Sequence, residues 1–151
     1  MNAQDLKYPL IKKISLLKLA ENILMLIALM CFSLSLFLPI FFTSAEDING
    51  FWVLITGWMG LIILQLAWFA NPLNLLALLM ANKRPRVAFL LSLLAFALAS
   101  NSFIFFEIPT GINYEKVYIQ EFGIGFYFWI TSHILVLFGL FFGFINSLKK
   151  N

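Results

Sequence analysis

The chain has 151 residues, 62% of them hydrophobic and only 11% charged, where soluble domains run at roughly half apolar and a quarter charged. Such a composition excludes a soluble globular domain, and the length holds about four membrane spans with short connections and no separate soluble unit. The single cysteine, Cys31, excludes a disulfide within the chain and leaves no basis for a cysteine-built metal or redox site.

The net charge of +3 matters through its distribution. Lys7, Lys12, Lys13 and Lys18 precede the first apolar run, Lys83, Arg84 and Arg86 divide the second from the third, and Lys149 and Lys150 close the chain. The intervening segments carry Glu46 and Asp47, then Glu107, Glu115 and Glu121 with Lys116. The positive-inside rule therefore predicts both termini and the central loop in the cytoplasm and two acidic loops outside. Cations fixed at a membrane face act as topology determinants and anionic-lipid contacts, here Lys12, Lys13, Lys18, Lys83, Arg84 and Arg86. Membrane lipids are the partners this predicts, and nucleic acid is not.

Residues 9–20 place Leu10, Ile11, Ile14 and Leu17 at helical spacing opposite the lysines, which predicts a basic amphipathic helix at the cytoplasmic surface. No small-residue cleavage site follows, so the first apolar run is expected to remain as a span over residues 22–42. Pro39 falls near its outer end, and Glu21 precedes it. An intramembrane glutamate of the kind that small multidrug exporters carry in their first span is therefore not expected. The loop TSAEDING is short and ends in an Asn49-Gly50 turn signal.

A second apolar run, from Phe51 to Ala81, is uncharged but contains Gln65, Asn71, Pro72 and Asn74. As one straight helix it would reach about 45 Å, beyond the ~30 Å hydrocarbon core. Pro72 removes a donor and Asn71 before it is pushed from helical geometry, so a kink is expected there, with a span over 51–70 continuing to 81. Gly57 and Gly60 allow a close helix neighbour, Trp52 and Trp58 suit the outer interface, and Trp68 lies deeper.

The third span is expected over residues 87–106, with Asn101 facing the bundle because an amide in lipid is costly. The loop from Glu107 onward alternates apolar and polar residues and reads as a brief strand or an interfacial helix capping the bundle. The fourth span, 125–148, carries Thr131, Ser132 and the sole histidine, His133, then Gly139 and Gly143 as a GxxxG contact motif for helix packing or an oligomer. The predicted class is thus all-α: one transmembrane domain over 1–151, a four-helix bundle with an N-terminal amphipathic helix and a kinked second span.

The chemistry-bearing candidates form an inward polar track: Gln65, Asn71 and Asn74 from the second span, Asn101 from the third, Thr131, Ser132 and His133 from the fourth, with Trp68 and Pro72 as further substrate or pore candidates beside Asn71. Glu107 and Glu121 would sit at the outer mouth. Amides and an imidazole can hold a headgroup or a small polar substrate, and they can equally serve as interhelical hydrogen bonds. Neither an acid/base pair nor a second histidine lies within a span, so no catalytic residue, metal or cofactor is expected.

Gly57-Trp58 and the W-x-x-N-P run from Trp68 to Pro72, within this four-span layout, resemble the small bacterial inner-membrane proteins of the AciT type. The resemblance implies a homotrimer in the bacterial inner membrane with a role in transport or membrane integrity, and it carries over no catalytic residue. Two functions are expected from the sequence: an oligomeric protein that binds or moves a small or lipidic substrate, or an accessory membrane protein that binds lipid or a larger complex.

Overall fold

Small side chains at seven-residue intervals organise the helices. The computed structural model describes residues 3–109 and 116–148, with side chains over 16–108 and 117–148. In α1 (Ala3–Phe37) the buried positions Glu21, Ala28 and Ser35 are spaced by sevens, with Met25 and Phe32 between them. In α4 (Pro85–Ser100) the buried positions are Ala88, Ser92, Ala95 and Ala99, and Ser102 continues them in the 3-10 turn Asn101–Ile104. This alternating three-and-four spacing is the pattern that keeps one seam of a helix against its neighbours. Alanine and serine on the seam let backbones approach closely, the usual basis of helix association in lipid. The serine hydroxyls turn back onto their own helices, Ser92 Oγ to Phe89 O at 2.8 Å and Ser35 Oγ to Phe32 O at 2.7 Å, so the seams carry little free polarity.

Helix α5 (Ile124–Leu148) packs antiparallel on α1, with Gly125 against Leu38, Gly139 against Met25 and Gly143 against the Glu21 carboxylate. It packs antiparallel on α4 as well, where Phe89 stacks on Phe144 at 5.6 Å and Phe103 meets Phe126 at 5.0 Å. The shorter α3 (Ala70–Met80) runs alongside α5, Asn71 bonding Trp129 and Asn74 bonding His133. These contacts put Lys18 and the α3–α4 turn with Lys83, Arg84 and Arg86 at the same end of the bundle. Among the described residues, three helices are long and apolar enough to cross a membrane: Leu16–Phe37, Pro85–Ile104 and Ile124–Leu148. Their outward faces are large and apolar, Leu26, Leu29, Leu90 and Phe138 among them.

The structure departs from the sequence expectation in four places. Residues 9–20 are not a separate helix, because the backbone of α1 is continuous from Ala3 to Phe37; the side chains of Lys12 and Lys13 lie outside the described residues. The first span stops at Phe37, and from Pro39 the chain becomes strand β1 (Pro39–Thr43), followed by β2 (Asp47–Asn49). The chain is not all-α. With β3 (Glu107–Pro109) and β4 (Lys116–Phe122) these strands form one four-stranded antiparallel sheet in the order β2-β1-β4-β3. Phe41 faces Phe122 across β1 and β4, and Glu107 faces Tyr118 across β3 and β4. The sheet covers the bundle end opposite the basic residues, Ile40 and Phe41 packing into a core with Ala70, Ala95, Ala99, Phe126 and Ile130.

The fourth departure is in the second apolar run, which is two shorter pieces and not one kinked span. Helix α2 (Gly50–Thr56) runs into the 3-10 turn Gly57–Ile63, the chain reverses at Leu64–Leu66, and the turn Ala67–Phe69 leads into α3. Pro72 does not break it. It occupies the first turn of α3, where a missing N–H leaves no helical bond unmade, and Asn71 stays helical. The reversal comes at Leu64, in the left-handed region with φ 59°, where Gln65 N–H bonds Gly60 O at 2.8 Å in the manner of a helix C-terminal cap. That cap normally calls for glycine. Leu64 is 79% exposed and loses little packing if replaced, so Leu64→Gly relieves the left-handed strain and should raise stability by about 0.5 to 1 kcal/mol. The midpoint of an SDS-titrated unfolding curve checks this, and a lower midpoint would contradict it.

Candidate functional site

The reversal at Leu64 leaves room behind it. Between α2, the end of α1, the sheet and the upper parts of α3 and α5 lies a cavity of about 130 Å³. Ser35 and Leu36 form one wall, Ile40, Phe41, Ile108 and Ile119 the sheet side, and Val53, Gly57 and Gly60 the α2 side. Asn71, Phe126 and Trp129 close it toward the middle of the bundle. Among the described residues, none that lines it is charged.

Most of the polar groups in this wall already hold hydrogen bonds. Gln65 Nε2 donates to Glu107 O at 2.8 Å, tying the reversal to the sheet. The Trp68 indole N–H donates to Leu54 O at 2.8 Å, and the Trp129 indole N–H to Asn71 Oδ1 at 2.9 Å. Thr56 Oγ1 donates to Trp52 O at 2.8 Å. A wall with most of its donors spent on its own backbone and amides presents mainly hydrocarbon to the interior. For scale, an apolar cavity of roughly 150 Å³ stays dry and takes up benzene. The space suits part of a hydrocarbon chain or a small apolar ring.

The predicted residues divide among several places. Gln65, Trp68 and Asn71 line the cavity, and Gly57 and Gly60 sit against Trp68 and Gln65, so those glycines pack the reversal itself. Asn74 and His133 meet one helical turn further along, Asn74 Nδ2 lying 3.0 Å from His133 Nδ1. Pro72 is exposed on the other side of α3, and Asn101 is half-buried where α4 tightens, outside the cavity wall. Thr131 is on the exposed face of α5, while Ser132 bonds back to Trp129 O at 2.6 Å. Glu107 and Glu121 are sheet residues, the first half-buried and the second exposed. Gly139 and Gly143 face α1 of the same chain. Lys83, Arg84 and Arg86 are exposed, and Lys18 pairs with Glu21 at 2.9 Å.

Sequence reasoning missed three participants. Trp129 holds Asn71 and stands four residues before His133, a one-turn spacing that was there to be used. Ser35 closes the cavity, and its seven-residue interval from Ala28 and Glu21 was the available signal. Glu21 was placed before the span; it is buried within Leu16–Phe37, fitted against Gly143. Among the described residues no cluster of three or more His, Cys, Asp or Glu could hold a metal. Comparison with protein-family models, curated proteins and solved structures finds no match to this chain.

Proposed function

We propose that this is a membrane protein that binds the hydrocarbon part of a lipidic ligand in the cavity beneath the sheet, in a bacterial inner membrane with both termini cytoplasmic. The observation that carries the reading is the cavity's chemistry, a mainly apolar space with no charged residue among its described lining, where Gln65 Nε2, Asn71 Oδ1 and both lining indoles are hydrogen-bonded within the protein. A hydrophilic solute would lose hydration there that a mainly apolar wall does not replace, whereas an acyl chain has none to lose. Support for the orientation comes from Lys18, Lys83, Arg84 and Arg86 gathering at one end, opposite the sheet. Exposed Trp52, Trp58, Tyr118 and Tyr127 toward the sheet end suit an interfacial aromatic belt.

Two of the four tryptophans, Trp68 and Trp129, line the cavity, which makes the test direct. With Trp52→Phe and Trp58→Phe removing the exposed reporters, a lipid brominated on its acyl chain should quench the remaining fluorescence with saturation. Ala67→Leu, which places a larger side chain in the cavity wall, should cut that saturable component at least tenfold while the helical signal is kept. Quenching that is linear in lipid, or unchanged by Ala67→Leu, would refute the assignment.

A further inference from the structure

Below the Asn71–Trp129 bond, between α3 and α5, two polar side chains are almost completely buried: Asn74 at 5% exposure and His133 at 2%. They bond each other, Asn74 Nδ2 to His133 Nδ1 at 3.0 Å, and this leaves Asn74 Oδ1 and His133 Nε2 without a hydrogen-bond partner among the described residues. The Trp129 ring covers one side of the imidazole, edge to face, with centroids 4.8 Å apart. Buried polar atoms are normally paired, so two orphans on adjacent side chains call for a partner.

The chemistry of that partner follows from valence. With the amide nitrogen donating to Nδ1, the neutral ring carries its proton on Nε2, which leaves one donor at Nε2 and one acceptor at Asn74 Oδ1. Turning the amide over makes Nδ1 the donor to Oδ1, and then Nε2 is the free acceptor and the amide nitrogen the free donor. Either arrangement leaves one donor and one acceptor, the complement of a hydroxyl, which does both. An ion does not fit, because neither α3 nor α5 contains a charged residue to balance it at this depth.

We propose that the Asn74–His133 pair is an internal binding site for one neutral hydroxyl group, supplied by water or by an alcohol headgroup. The site is separate from the cavity, being built from side chains that do not line it, and it stands whatever occupies the cavity.

His133 is the sole histidine, so 15N-histidine labelling in phosphatidylcholine nanodiscs reports this imidazole alone. The expected spectrum is a neutral ring with Nε2 hydrogen-bonded and a through-space contact to an exchangeable proton. If the hydroxyl is water, the contact lies at the water frequency and is unchanged by 13C-labelled 1-octanol. If it is an alcohol, contacts to the octanol carbinol carbon replace the water contact. Asn74→Leu removes one half of the site and should abolish either contact. An Nε2 with the shift of an unbonded nitrogen, touching only side-chain protons, would overturn the proposal, as would a hydroxyl contact that survives Asn74→Leu.

Discussion

Phe126→Ala is expected to destabilise the folded protein by about 3 kcal/mol, the scale found when a fully buried phenylalanine is truncated. Phe126 has no exposed surface, and it joins the two halves of the architecture. Its ring stacks on Phe122 of β4 at 4.3 Å, meets Phe103 at 5.0 Å edge to face, and lies within 6.2 Å of Phe41 in β1 and 6.0 Å of Trp129. The loss is mainly of dispersion contacts, which a residual void cannot replace. Phe126 also lines the cavity, so its removal enlarges that space. Unfolding by SDS titration, followed through tryptophan fluorescence, measures the change. A loss under about 1 kcal/mol would mean that the sheet docks on the bundle independently of this ring.

Much of the helical framework was legible because a membrane span is written in composition: long uncharged runs with cations at one set of ends are enough to place α1, α4 and α5. The failures come where composition is silent. Phe41 and Phe42 read as the tail of a span, since apolar residues suit a helix and a buried strand alike, and only the partner strand β4, some eighty residues on, decides between them. Pro72 drew the break to itself because proline breaks helix interiors, yet near a helix start it is harmless. The true reversal uses Leu64, a residue with no turn propensity, and it is held by Gln65 reaching the carbonyl of Glu107. That bond spans 42 positions and no local rule contains it. The candidate site fared the same way. Asn71, Asn74 and His133 could be picked out as polar residues in apolar surroundings, but whether they formed one track could not. The structure divides them, Asn71 bonding Trp129 at the cavity and Asn74 bonding His133 below it.

Glycines that look equivalent in the sequence should differ sharply when changed to alanine. A Cβ at Gly125 would lie 2.7 Å from the Leu38 carbonyl oxygen and 2.8 Å from that of Pro39, both rigid backbone at the corner where α1 becomes β1. The same corner receives Gly50, whose Cβ would strike the Ser35 carbonyl oxygen, and Gly123, whose Cβ would strike that of Pro39. These close approaches let the chain satisfy carbonyls at the corner itself: Gly50 N–H bonds Leu38 O at 3.1 Å, and Gly123 N–H bonds Ile40 O at 2.8 Å. Gly125→Ala therefore forces α5 away from that corner, opening both the sheet contact and the cavity wall, at a cost of about 3 kcal/mol or more. At Gly139 the new methyl meets the Met25 Cε at 2.8 Å, the free end of a flexible side chain that can turn aside. Gly139→Ala should stay within about 1 kcal/mol of the parent, although Gly139 belongs to the more recognisable motif. Parallel SDS-unfolding midpoints and the monodisperse fraction on size exclusion decide the matter. Equal losses in the two variants, or a larger loss at Gly139, would show that the α1–α5 seam and not the α1–β1 corner sets the packing tolerance of this protein.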